Sequence, residues 1–136
     1  MLSDFKFHHI GIATDNIKNT VQFYLDADYS VSDTIYDPIQ CVFIAFLEKT
    51  GMPRLELVEP NQVYHSPVSK IIKKSGVSPY HICYEVDNME SALNKLKKKR
   101  YLPLSRPVKA IAMDNRSICF LYNKEIGLIE LLGEII

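Results

Sequence analysis

The chain is written twice. From His9 it reads His-Ile-Gly-Ile-Ala-Thr-Asp-Asn-Ile, and from His81 it reads His-Ile-Cys-Tyr-Glu-Val-Asp-Asn-Met. A shift of 72 brings His9 onto His81, Ile10 onto Ile82, Asp15 onto Asp87 and Asn16 onto Asn88, and it still holds at Tyr29 and Tyr101. Later a shift of 74 brings Phe46-Leu47 onto Phe120-Leu121, and Leu55-Glu56-Leu57 onto Ile129-Glu130-Leu131. One short loop insertion explains the slip. A period this long belongs to a duplicated module rather than to a solenoid array. The 136 residues therefore read as one domain, 1–136, with module 1 at about 6–60, a connector at about 61–78 and module 2 at about 79–136.

Both modules have the same plan. Residues 6–14 and 79–86 alternate and are rich in Ile, Val, Phe and Tyr, so they read as strands. Asp15 and Asp87 follow as helix N-cap candidates, and Asp87 with Glu90 has capping-box spacing. Helical spacing then appears at Ile17, Val21, Tyr24 and Leu25, and again at Met89, Leu93 and Leu96. Strands are expected at 30–36, 40–48 and 53–59, then at 102–108, 115–122 and 127–133. Each module is βαβββ, and the fold class is α+β. In the connector, Ser66-Pro67 ahead of Val68, Ile71 and Ile72 predicts a capped short helix.

Four residues stand out against this pattern. Strand side chains alternate between faces, so Ile10 and Ile12 share the face that a helix would cover. His9 points to the opposite, concave face beside Gly11 and Ala13. His81 repeats this, with Ile82, Tyr84 and Val86 directed the other way. Leu55 and Leu57 flank Glu56, as Ile129 and Leu131 flank Glu130. A carboxylate inside such an apolar strand is costly to bury unless it is paired or bound to metal. A lone strand histidine or glutamate is ordinarily a surface residue, but here both recur at equivalent places. A pseudo-twofold axis would bring His9, Glu56, His81 and Glu130 to one cavity. Two imidazoles and two carboxylates suit one divalent ion, with nickel or cobalt favoured and zinc or manganese also compatible. The cysteine ligands usual for structural zinc are missing. His8 falls on the Ile10 face and would have Tyr80 as its mate, so it is not a ligand candidate. His65 has no mate and reads as a surface residue.

Composition excludes other classes. Lys plus Arg equals Asp plus Glu at 16 each, which argues against a nucleic-acid partner. The run Lys97-Lys98-Lys99-Arg100 ends a predicted helix, where cations complement the macrodipole. No apolar stretch is long enough for a bilayer, and the start lacks a secretory core. Cys41, Cys83 and Cys119 are odd in number, lie in apolar strand-like runs and have no CxxC spacing. They read as buried reduced thiols of a cytoplasmic protein.

The His-His-Ile-Gly-Ile-Ala opening, Leu-Glu-Leu-Val-Glu-Pro, Tyr-His-Ile-Cys-Tyr-Glu-Val-Asp-Asn and Gly-Leu-Ile-Glu-Leu-Leu resemble the vicinal-oxygen-chelate (glyoxalase/bleomycin resistance/dioxygenase) superfamily. The resemblance spans nearly the whole chain. It implies paired βαβββ modules forming a curved half-open barrel around a metal held by His9, Glu56, His81 and Glu130. It also implies proton abstraction next to a carbonyl, with Glu130 as first choice for the base and Glu56 as second.

Within the superfamily the chain looks most like small bacterial glyoxalase I enzymes, acting on a 2-oxoaldehyde–thiol hemithioacetal, and methylmalonyl-CoA epimerases, acting on an acyl thioester. Such epimerases usually carry a Gly-Ala-His-Gly-like loop, where this chain has Ala110-Ile111-Ala112-Met113-Asp114-Asn115-Arg116. That departure favours the lyase, with Arg116 holding a substrate carboxylate or phosphate. The metal-free, antibiotic-binding members lack the ligand set present here. Module pairing within a chain or swapping between chains leaves a homodimer open.

Overall fold

The computed structural model describes residues 2–62 and 66–136. Three connector residues, His65 among them, lie outside that range. The described residues bear out the α+β class, with ten strands and three α-helices. By contact density the chain divides into two compact units, His9–Tyr80 and Met1–His8 with His81–Ile136.

In the first unit, β1 (Lys6–Ala13) leads into α1 (Ile17–Asp26), followed by β2 (Ser30–Val31), β3 (Ile35–Asp37), β4 (Val42–Glu48) and β5 (Leu55–Pro60). The single strand expected at 30–36 is broken in two, because Ser32 turns its N–H to Phe46 O and its hydroxyl accepts from Phe46 N. The sheet runs β2–β4–β5–β1, with β3 also on β4. β1 and β5 are parallel, with Gly11 opposite Glu56; β4 and β5 are antiparallel, with Phe46 opposite Glu56. Alternation sends Ile12, Ala45, Leu47 and Leu57 to one face, where they pack with Ile17 of α1. Val21, Tyr24 and Tyr29 close over this cluster. Each fully buried leucine there contributes roughly 2 kcal/mol.

The second unit repeats the order. β6 (Ser78–Glu85), α3 (Met89–Lys98), β7 (Leu102–Pro103), β8 (Val108–Ala110), β9 (Arg116–Asn123) and β10 (Gly127–Ile135) follow one another. A single 3₁₀ turn, Ile111–Met113, lies between β8 and β9. β6 and β10 are parallel, with Cys83 opposite Glu130, and β9 and β10 are antiparallel, with Phe120 opposite Glu130. Met89, Leu93 and Leu96 of α3 cover Cys119, Leu121, Ile129 and Leu131, and Leu2 and Phe5 pack against the same cluster. Val86 and Tyr84 lie with it as expected. Ile82, by contrast, is 39% exposed.

The helix starts differ from expectation by one residue. Asn16 and Asn88 are the N-caps, in extended conformation, and their side chains accept from Asn19 N and Ser91 N. The Asp87–Glu90 capping box does not form, because Asn88 takes the cap and leaves Glu90 at the second helical position rather than the third. The helix ends are duplicated too. Asp28 and Arg100 adopt left-handed backbone, and the next residues, Tyr29 and Tyr101, donate to Tyr24 O and Leu96 O. The side chains of Tyr29 and Tyr101 pack against the core cluster of their respective modules. The connector helix α2 (Pro67–Ser75) is as predicted, with Ser66 Oγ accepting from Val68 N and Gly76 ending it at φ 70°. Cys83 and Cys119 are buried thiols, and burial pushes the Cys119 thiol up from its ordinary value. Cys41 departs from the expected buried strand position. It is half-buried in the turn before β4, at φ 57°.

Candidate functional site

The pairing register explains how each histidine meets its glutamate. In a parallel pair, opposed residues share a face, so Glu56 stands over Gly11, which has no side chain to block it. His9, two residues earlier on the same face, reaches it diagonally. His9 Nε2 lies 3.3 Å from Glu56 Oε1. The other unit repeats the arrangement with the small Cys83 in place of Gly11, and His81 Nε2 lies 3.1 Å from Glu130 Oε1.

All four side chains are buried, none more than 4% exposed. Each imidazole also has an aromatic edge contact. His9 meets Phe46 at 5.7 Å between centroids, and His81 meets Phe120 at 5.1 Å. Both phenylalanines stand directly opposite the glutamates on the neighbouring strand. Each module thus carries a His–Glu–Phe set on the sheet face turned away from its helix. The phenyl rings were visible in the 74-residue shift as a repeated Phe-Leu, yet nothing in the sequence marked them as part of the site.

A His–Glu contact near 3.2 Å can be a simple hydrogen-bonded pair. Burial is what argues for more. A carboxylate and an imidazole held away from water need a partner charge or a cation, and the donor set of two imidazoles and two carboxylates can hold a divalent metal ion.

Arg116 is the first residue of β9. Its Nε donates to Gly133 O at 2.8 Å, and its NH2 nitrogen lies 3.2 Å from Glu85 Oε1. Part of its fork is therefore committed within its own unit. Just before it, Asp114 and Asn115 have φ of 57° and 62°. They take up the left-handed backbone for which glycine is usually chosen.

Two further carboxylates escaped the sequence reading. Glu59, at the end of β5, accepts from Ile17 N at 2.8 Å, and Glu134, at the end of β10, accepts from Met89 N at 2.9 Å. Both satisfy the first amide of a helix. The pairing of Glu59 with Glu134 corresponds to a shift of 75 rather than 74, because β10 carries an irregularity between Leu132 and Ile135. The extra residue hid the correspondence.

The chain matches the profile of the Glyoxalase/Bleomycin resistance protein/Dioxygenase superfamily over residues 8–120. It is 32% identical to the mitochondrial methylmalonyl-CoA epimerase of Homo sapiens over 124 residues, covering 90% of this chain and 69% of that one. A hypothetical protein from Bacillus halodurans C-125 has a similar structure, with a TM-score of 0.85 and 29% identity over 97% of this chain and 96% of that one. A Streptomyces coelicolor methylmalonyl-CoA epimerase variant, in complex with 2-nitronate-propionyl-CoA, matches with a TM-score of 0.82 and 26% identity over 97% and 99% of the two chains.

Proposed function

Because the chain belongs to the Glyoxalase/Bleomycin resistance protein/Dioxygenase superfamily, we propose that it is a metal-dependent isomerase that inverts the carbon next to the carbonyl of an acyl-CoA thioester. Methylmalonyl-CoA is the substrate to try first. The observation that carries this reading is the pair of buried His–Glu contacts at equivalent places in the two modules. Their donors fit one divalent ion held by His9, Glu56, His81 and Glu130. The relatives named above favour the thioester over the hemithioacetal. This reverses the order that the loop at 110–116 suggested; the likeness to methylmalonyl-CoA epimerases outweighs that departure.

A bound divalent ion would supply Lewis-acid stabilisation of negative charge developing on the substrate carbonyl oxygen. The protein does the rest. His9 and His81 would hold the ion, each ring in edge contact with Phe46 or Phe120. Glu130 takes the proton from the α-carbon. Inversion requires one proton to leave one face and another to arrive on the opposite face; Glu56, the mate of Glu130, starts protonated and donates the second as Glu130 takes the first. General-base action of this kind contributes about 10²–10⁴-fold.

The test is deuterium uptake at the α-carbon of methylmalonyl-CoA by protein loaded separately with nickel, cobalt, manganese or zinc. Uptake that falls at least about 100-fold in Glu130→Gln, with metal content retained, supports the reading and the base. Turnover of the methylglyoxal–glutathione hemithioacetal without thioester exchange would replace it with the lyase. A protein that binds no metal would remove the four-ligand centre altogether.

A further inference from the structure

The duplication allows one module to serve as a control for the other. On the face that carries Glu130, β10 continues outward to Leu128, β9 to Tyr122 and β7 to Leu102, the last two directly opposed. Leu104 follows on the same face, its N–H bonded to Phe120 O. Leu102, Leu104 and Tyr122 are 63%, 56% and 47% exposed, and Leu128 is half-buried. Residues two apart on a strand are separated by roughly 7 Å, so this apolar apron starts one step from Glu130 and Phe120.

The equivalent positions in module 1 are Ser30, Ser32, Glu48 and Arg54, with Ser32 N bonded to Phe46 O and Arg54 Nε 3.5 Å from Glu48 Oε1. Module 1 therefore builds the same strands with polar side chains at all four places. The fold does not require leucine or tyrosine there. Single exposed apolar residues need no explanation, but a contiguous group beside a buried polar centre marks a binding surface.

We propose that Leu102, Leu104, Tyr122 and Leu128 form the specificity surface for the pantetheine arm of the acyl thioester. The proposal rests on the thioester reading above. The arm is a chain of methylenes and a geminal dimethyl group with only two amides and a hydroxyl, which suits an apolar strip with one phenol at its edge. It ends at the thioester sulfur, one carbonyl carbon away from the reacting α-carbon, as the apron ends one step from Glu130. Module 1, with its ion pair, offers no equivalent strip.

The test compares methylmalonyl-CoA with its truncated N-acetylcysteamine thioester in wild type, Leu104→Ser and the double variant Leu102→Ser/Tyr122→Ser. The ratio of kcat/KM for the long over the short thioester is expected to fall about tenfold in the variants, the loss of roughly one buried apolar side chain. A ratio that stays within twofold of wild type overturns the proposal. Should wild type exchange neither thioester, the isomerase reading fails, and the apron is judged by calorimetric titration with propionyl-CoA. Weaker binding in the variants then still supports it, and equal binding overturns it. Sedimentation is the last arm: a wild-type dimer that the variants dissociate would assign the strip to a second copy of the chain and overturn the proposal.

Discussion

At the scale of single residues, four glutamates in two pairs do two different jobs. Glu56 and Glu130 sit in mid-strand, buried, each against a histidine. Glu59 and Glu134 sit near strand ends and cap helices. The amides of Glu134 itself and Met89 hold the Glu134 carboxyl below its ordinary value of 4.5. A group whose folded value is lowered stabilises the fold above its unfolded value, and that contribution disappears as pH falls through the folded value. The side chain is exposed and solvent screens it, so the effect is small, about 0.5 kcal/mol or less. Glu134→Gln is thus expected to lower stability slightly at pH 7 and to flatten its fall below about pH 4.5, as read by urea melts across pH. A variant as pH-sensitive as wild type would count against the cap. This role was illegible in the sequence because a one-residue irregularity breaks the repeat register just where Glu134 lies.

At the scale of elements, periodicity located α1 and α3, but it did not fix where they begin, whereas Ser66-Pro67 fixed the start of α2. Asp15-Asn16 and Asp87-Asn88 each offer two good caps side by side, and the choice falls to whichever side chain meets the free amide three residues on. Asn88→Ala is expected to cost about 1 kcal/mol in chemical denaturation, while Asp87→Ala costs less than about 0.5 kcal/mol. The reverse order would restore the aspartate cap. The short strands were the harder elements. β2 and β3 merge in the sequence because Ser30 through Tyr36 keep a strand-like mixture, and only the Ser32 bonds to Phe46 show the break.

At the scale of the whole molecule, each module alone is near the size at which a single core is marginal, so the chain 1–136 is expected to unfold in one transition. We expect one divalent ion per chain by elemental analysis. We also expect stability to rise by about 2.7 kcal/mol when free metal is 100 times its Kd, with both effects lost in His9→Ala and in His81→Ala. Two ions per chain, each lost separately with one histidine, would mean that the His–Glu pairs act independently. Among the described residues no helix is long and apolar enough to cross a membrane.

The sequence by itself determined the duplication, the α+β class and the helices, and it singled out His9, Glu56, His81 and Glu130, which the fold buries. All of these follow from side-chain alternation and from residues repeated at a fixed spacing, which are local or self-referential signals. Only the tertiary structure decided which neighbour each donor meets. Register across strands placed Gly11 under Glu56 and Cys83 beside Glu130, and it set Phe46 and Phe120 opposite the glutamates. It also turned Arg116 towards Glu85 and put Asp114 and Asn115 in left-handed backbone. Hydrogen bonding between distant strands and backbone dihedral angles carry that information, and neither has a period that can be read along the chain.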